Sequence, residues 1–273
     1  MRTLRYRSRD ESVYLLNEIL EDLGYEVTVQ GYFNRATENA VKAFQKEHRL
    51  VVDGIVGPKT WSKLIAAQEA VTKFNTKFLA EEDLEAFASN YNLPLAVVKA
   101  VNQVESNGKG FLLDGRPKIL FEGHVFWRQL KNKGLDPQDF VNKHTEDVLY
   151  PKWTSSHYEG GAKEYFRLTK AAGMSDLPEV HEAAYESASY GSFQIMGFHW
   201  KRLGYPSIDA FVAEQYTHER AHLEAFGRYL KAFDLLELLR TKQWSAFAKA
   251  YNGPSYAKHN YHGKLAKAYE RYA

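Results

Sequence analysis

Pro94-Leu95-Ala96-Val97-Val98-Lys99-Ala100-Val101-Asn102-Gln103-Val104-Glu105-Ser106-Asn107-Gly108 sets the character of the larger part of this chain. Val97, Val98, Val101 and Val104 recur at helical spacing and form one apolar stripe. Glu105 falls four residues after Val101 on nearly the same face, so an acid is expected on the core side of a helix. Asn107 and Gly108 are expected to end that helix, which leaves Glu105 near the negative end of its dipole. Burial and dipole both disfavour the ionised carboxylate and raise its pKa, the condition for a general acid near neutral pH. A lone glutamate at a helix end is more commonly half of a boundary ion pair, so its meaning depends on what stands beside it.

Two other segments bear on it. In Ser189-Tyr190-Gly191-Ser192-Phe193-Gln194-Ile195-Met196-Gly197 an amide sits between apolar residues, framed by glycines, where it needs hydrogen-bond partners. Sugar hydroxyl and acetamido groups could supply them. The stripe Trp244, Phe247, Ala248 and Tyr251 predicts a helix that stops at Gly253-Pro254 and presents Tyr251 and Asn252 at its end. Taken singly, either segment reads as a buried polar side chain with internal partners. Between Glu105 and these segments, two apolar runs, Phe111-Leu112-Leu113 and Ile119-Leu120-Phe121, flank Asp114-Gly115-Arg116-Pro117, the pattern of a small β-hairpin closed by Glu122.

Upstream the chain is a different unit. Gly31-Tyr32-Phe33-Asn34-Arg35-Ala36-Thr37 is echoed by Gly54-Ile55-Val56-Gly57-Pro58-Lys59-Thr60, and each copy opens a helix. Asn34 and Gly57 stand at N-cap positions, and Pro58 suits a first helical turn because no intrahelical partner is needed for its nitrogen. Val13, Leu16, Ile19, Leu20 and Leu23 form an earlier amphipathic helix stopped by Gly24. This predicts a three-helix module over residues 1–67, a polar connector over 68–80, helical or irregular, and a second, mainly α domain over 81–273.

Leu23-Gly24-Tyr25, Gly31-Tyr32-Phe33, Phe44-Gln45, Asp53-Gly54, Val56-Gly57-Pro58 and Thr60-Trp61 resemble the common peptidoglycan-binding domain, with Asn34 where glycine is usual. Glu105-Ser106, Gly191-Ser192-Phe193-Gln194-Ile195 and Ala250-Tyr251-Asn252-Gly253 resemble, in this order, the three motifs of goose-type lysozymes and lytic transglycosylases. Together with Asp114-Gly115-Arg116-Pro117 and Ile119-Leu120-Phe121-Glu122, they are more closely similar to the N-acetylmuramidase domain of modular phage endolysins. The resemblance implies a lysozyme-like α domain with a small β-hairpin that hydrolyses the β-1,4 bond from N-acetylmuramic acid to N-acetylglucosamine in peptidoglycan. It implies Glu105 as proton donor, Gln194, Tyr251 and Asn252 lining the cleft with Tyr190 and Ser192 beside them, and no metal or organic cofactor. With no export signal, such a protein is expected to be made in a host cytoplasm and to reach the wall through another protein's pore, with a monomer as the default state.

A second catalytic group is needed to position water or to stabilise an oxocarbenium-like transition state. Glu122, at the end of the hairpin, is the first candidate. Glu219 is a weaker one, expected near the middle of a helix from Phe211 to Phe233 on the stripe Val212, Tyr216, Leu223, Phe226 and Leu230. That helix also contains His218-Glu219-Arg220-Ala221-His222, a match to the HExxH zinc-peptidase signature. With the glutamate on the apolar stripe, both histidines at its margin and no third ligand downstream, a zinc peptidase or amidase ranks below the muramidase. The same motifs also fit a lytic transglycosylase, in which a sugar hydroxyl replaces water and leaves a 1,6-anhydro product. A wall-binding protein without activity would need neither the acid nor its partners.

Composition narrows the field. With 36 basic and 34 acidic side chains the net charge of +2 does not favour nucleic acid as a partner. No apolar run is long enough to span a bilayer, and the arginine-rich start is unlike an export signal. No cysteine is present, so thiol chemistry and disulfides are excluded. Arg240, Lys242, Lys249, Lys258, Lys264, Lys267 and Arg271 face one acid, Glu270, and read as a solvated cationic helix face.

Overall fold

The computed structural model describes residues 2–75, 77–106, 110–112 and 114–273, and the chain divides into two compact units, Met1–Lys77 and Phe78–Ala273. The expected stop at Asn107-Gly108 and the hairpin residue Leu113 lie outside the described residues.

In the first unit α1 (Glu11–Asp22), α2 (Arg35–Glu47) and α3 (Pro58–Asn75) pack around Val13, Leu16, Ile19, Leu20, Phe33, Val41, Phe44, Val56, Trp61 and Leu64. Local chemistry sets the boundaries. Asp10 caps α1 by accepting from Ser12 N, Asn34 caps α2 by accepting from Thr37 N at 2.9 Å, and Gly24 turns the chain at φ +86. Pro58 opens α3 as expected, but the helix continues past Ala67 to Asn75, so most of the polar connector is helical.

The second unit opens with α4 (Glu81–Tyr91) and α5 (Leu95–Val101), and α5 runs directly into a π-helical turn at Asn102–Ser106. β1 (Ile119–Phe121) leads to α6 (Gly123–Asn132), then α7 (Lys163–Ala172) and α8 (Pro178–Glu186). β2 (Ala188–Tyr190) and β3 (Ile195–Met196) follow, then α9 (Ile208–Gln215), α10 (Glu219–Ala232), α11 (Leu236–Arg240), α12 (Trp244–Asn252) and α13 (Tyr261–Tyr272). Among the described residues no helix is long and apolar enough to cross a membrane.

The fold extends one expectation and corrects another. The expected hairpin is present in short form: Phe111 and Pro117 are bridged antiparallel, and Leu112 N donates to Arg116 O and Lys118 N to Gly110 O, each at 2.8 Å; beyond it, β1 pairs with a distant segment. Ile119 faces Tyr190 and Phe121 faces Ala188, and β2 in turn pairs with β3, giving an antiparallel sheet in the order β1-β2-β3. The free edge of β1 is covered by a buried ion pair: Arg167 Nη1 donates to Phe121 O at 2.8 Å, and Phe121 N donates to Glu164 Oε2 at 3.2 Å.

The helix expected from Phe211 to Phe233 is two helices. The chain breaks after Gln215 because His218 adopts extended backbone (φ -164) and its ring accepts from Arg220 N at 3.0 Å, an N-cap made by histidine. Glu219 therefore begins α10 instead of sitting in mid-helix.

Candidate active site

Glu105 lies in the π turn, half-buried, four residues after buried Val101. A π turn carries i→i+5 bonds and recurs at functional sites. Asn252, the last residue of α12, donates from Nδ2 to Glu105 Oε1 at 3.0 Å. Burial pushes the Glu105 carboxyl up to about 6, opposed by the Asn252 hydrogen bond and by the positive charge of Lys264 on α13. Lys264 escaped the sequence reading, which placed it on a solvated face. Its helix in fact packs along α5 and the π turn, and only the apolar Leu265 and Ala268, spaced at i, i+3, could have signalled that.

Tyr251 precedes Asn252 and is held from the other side. Its ring packs face-to-face with Phe247 at 5.6 Å between centroids and edge-on to Phe226, and its hydroxyl donates to Phe193 O at 2.8 Å. The three segments singled out in the sequence are thus joined directly, Glu105 to Asn252 and Tyr251 to the residue before Gln194.

Gln194 sits in the turn that joins β2 to β3, in the left-handed region, φ +50, unusual for a residue other than glycine. Its amide is spent within the protein: Nε2 donates to Gly191 O at 2.8 Å and to Lys118 O at 3.3 Å, and Oε1 accepts from Ser189 Oγ at 2.8 Å. It braces the turn against β1. Tyr190 does not line a cleft. It is 1% exposed, its ring meets Phe211 edge-on, and its hydroxyl donates to Tyr185 O, because β2 is covered on both faces. Ser192 is likewise buried, with its hydroxyl 3.4 Å from Glu219 Oε1 and 3.2 Å from His222 Nδ1.

The two candidate second carboxylates differ. Glu219 is buried, and its oxygens accept from backbone donors, Gly110 N and Leu79 N, each at 3.1 Å. Glu122 follows β1, accepts from the Tyr158 hydroxyl and lies 3.3 Å from His124 Nδ1. Tyr158 was not singled out in the sequence. By strand alternation Glu122 continues the side of β1 carrying Lys118 and Leu120, opposite the buried Ile119 and Phe121. At about 3.3 Å per residue, it stands roughly 13 Å along the chain from Lys118, where Gln194 is anchored.

In the HExxH run the two histidines do not converge. His218 caps α10, while His222 Nε2 donates to Gln215 O at 2.8 Å and Nδ1 accepts from Ser192 N at 3.2 Å, so both ring nitrogens are engaged. Among the described residues no group of three or more His, Cys, Asp or Glu is placed to hold a metal ion.

The model of the N-acetylmuramidase family matches residues 94–273, which contain every one of these groups except Leu79. The chain belongs to the N-acetylmuramidase family. This muramidase also carries, over residues 9–64, a match to the putative peptidoglycan binding domain. It is similar to the solved crystal structure of the Burkholderia AP3 phage endolysin, with 42% identity, 99% of each chain covered and a TM-score of 0.67. A curated relative, N-acetylmuramoyl-L-alanine amidase CwlM of Mycobacterium tuberculosis (strain ATCC 25618 / H37Rv), is 36% identical over 75 residues. That stretch is 27% of this chain, and the muramidase spans only 18% of the amidase's length. Both matched families point to peptidoglycan, and the muramidase match makes the enzyme a glycoside hydrolase of lysozyme type.

Proposed function

We propose that the protein is an endolysin that hydrolyses the β-1,4 bond between N-acetylmuramic acid and N-acetylglucosamine, with Glu105 as general acid. The observation that carries this reading is the Glu105 carboxyl, raised to about 6 by burial and oriented by Asn252. An acid of that strength is still partly protonated near neutral pH and can deliver its proton to the glycosidic oxygen as the bond breaks. Lys264 and Asn252 keep the resulting carboxylate from being prohibitively costly, so the group can be reused. Of the other two carboxylates, Glu122 suits the task of positioning water or stabilising the sugar cation, because it lies on the less buried side of β1 while Glu219 is occupied by backbone donors. Tyr251 and Gln194 shape the cleft through internal hydrogen bonds.

In this reading residues 1–67 hold the wall, 68–80 connect and 81–273 cut, without cofactor. The protein acts as a monomer and reaches the wall through a pore made by another protein. Mass spectrometry of digested peptidoglycan tests the reaction. One water gained per cut at the muramic acid bond is expected, with Glu105→Gln silent. A 1,6-anhydro product would instead assign a transglycosylase, and cleaved peptides an amidase or peptidase.

A further inference from the structure

Within the His218–His222 run, Glu219 and His222 are buried and form a knot with Gly110, Ser192 and Leu79. Glu219 Oε1 accepts from Gly110 N at 3.1 Å and faces Ser192 Oγ at 3.4 Å, while Oε2 accepts from Leu79 N at 3.1 Å. His222, 1% exposed, accepts from Ser192 N and donates to Gln215 O. The fit admits no added atom. A Cβ at Gly110 would stand 2.2 Å from Ser192 Oγ and 2.6 Å from Glu219 Oε1, and one at Gly191 would stand 2.6 Å from His222 Cγ.

Gly110 follows Glu105 by five residues. Ser192 precedes Phe193, whose carbonyl receives the Tyr251 hydroxyl, and Tyr251 adjoins Asn252, the hydrogen-bond partner of Glu105. The knot thus holds Gly110 and the turn that anchors Tyr251, the neighbour of the acid's partner. Only an acceptor-only group of this length serves both. An amide in place of the carboxylate would turn an N–H against a backbone N–H.

We propose that Glu219 is a positioning residue of the muramidase reaction, which through Ser192 holds the turn that anchors Tyr251, the neighbour of the Asn252 bonded to Glu105, and so sets how deeply that acid is buried. The inference rests on Glu105 being the general acid. Within the described residues the charged or titratable groups facing Glu105 are Lys264 of α13 and Tyr251 of α12, and neither is altered by changing Glu219.

The test is Glu219→Gln in the full chain, with kcat, KM and the pH–rate profile on purified peptidoglycan corrected for the folded fraction. The expected result is a kcat lower by about tenfold with KM kept. The alkaline limb should move to lower pH, because a less buried Glu105 loses its proton earlier. A lower Tm with kcat and limb unchanged would reduce Glu219 to packing and overturn the proposal. So would a loss of roughly a thousandfold or more with the limb in place, which marks a group doing chemistry itself. If Glu219→Gln fails to fold, Ser192→Ala removes one donor and keeps the backbone bonds. It should shift the limb in the same direction by less, and an unmoved limb overturns the proposal. If the unaltered protein cuts no glycan, it is the assignment of function that fails.

Discussion

Asn252 Nδ2 donates to Glu105 Oε1 at 3.0 Å across 147 residues of chain, and this bond stabilises the ionised form of the acid. Removing it with Asn252→Ala therefore raises the Glu105 pKa above about 6 and moves the alkaline limb of activity upward. The loss of orientation should lower kcat about fivefold, the worth of one ordinary hydrogen bond near 1 kcal/mol. A limb that stays in place on a pH–rate titration would show that the bond does not act on the proton donor.

Glu105→Gln separates activity from stability. Activity should fall by about 10²–10⁴-fold because no proton can be delivered. Stability should rise at neutral pH. The folded pKa of Glu105, about 6, lies above its ordinary value of 4.5, so the native state binds the proton more tightly than the unfolded chain. Its contribution is fully present below pH 4.5 and is lost as pH rises through 6, a loss of roughly 2 kcal/mol at pH 7. Urea melts at pH 4 and pH 7 should show the variant gaining only at the higher pH.

Glu122→Gln should lower kcat by on the order of 10²-fold with wall binding unchanged, if its carboxylate charge serves the transition state. Tyr158→Phe removes the hydrogen bond that orients Glu122 and should cost less, about fivefold. Equal activity of Glu122→Gln and the unaltered enzyme in a turbidity assay would remove Glu122 from the mechanism.

The Glu164–Arg167 pair is 0% and 4% exposed and carries the outer edge of β1. Arg167→Ala leaves Glu164 charged in the interior, so a loss of about 3–5 kcal/mol is expected. Replacing both residues with apolar ones of similar volume should recover part of it, as read from chemical denaturation midpoints.

What could be read in the sequence was chiefly what is local. Asn34, Gly24 and Pro58 set helix ends by their own backbone and capping chemistry, and structure and sequence agree there. The three motifs around Glu105, Gln194 and Tyr251-Asn252 were found because each is a short run with its own helix or turn signal. What escaped depends on distant partners. β1 pairs with residues 188–190, far from the turn that suggested its hairpin, and the break before Glu219 rests on histidine acting as a cap, a residue outside the usual set. The interior placement of Tyr190, the internal spending of the Gln194 amide and the packing of Lys264's helix against α5 are all tertiary facts with no period to announce them.

The π turn at Asn102–Ser106 has a practical corollary. An isolated α-helix has no local reason to widen by one residue, so residues 94–106 set into a regular helix would carry their glutamate to another azimuth. The acid's place is thus held by partners on α12 and α13 and not by its own segment alone. Transplanting this segment into another helical scaffold would transfer the letters without the geometry, and a minimal engineered catalyst would have to bring the C-terminal helices with it.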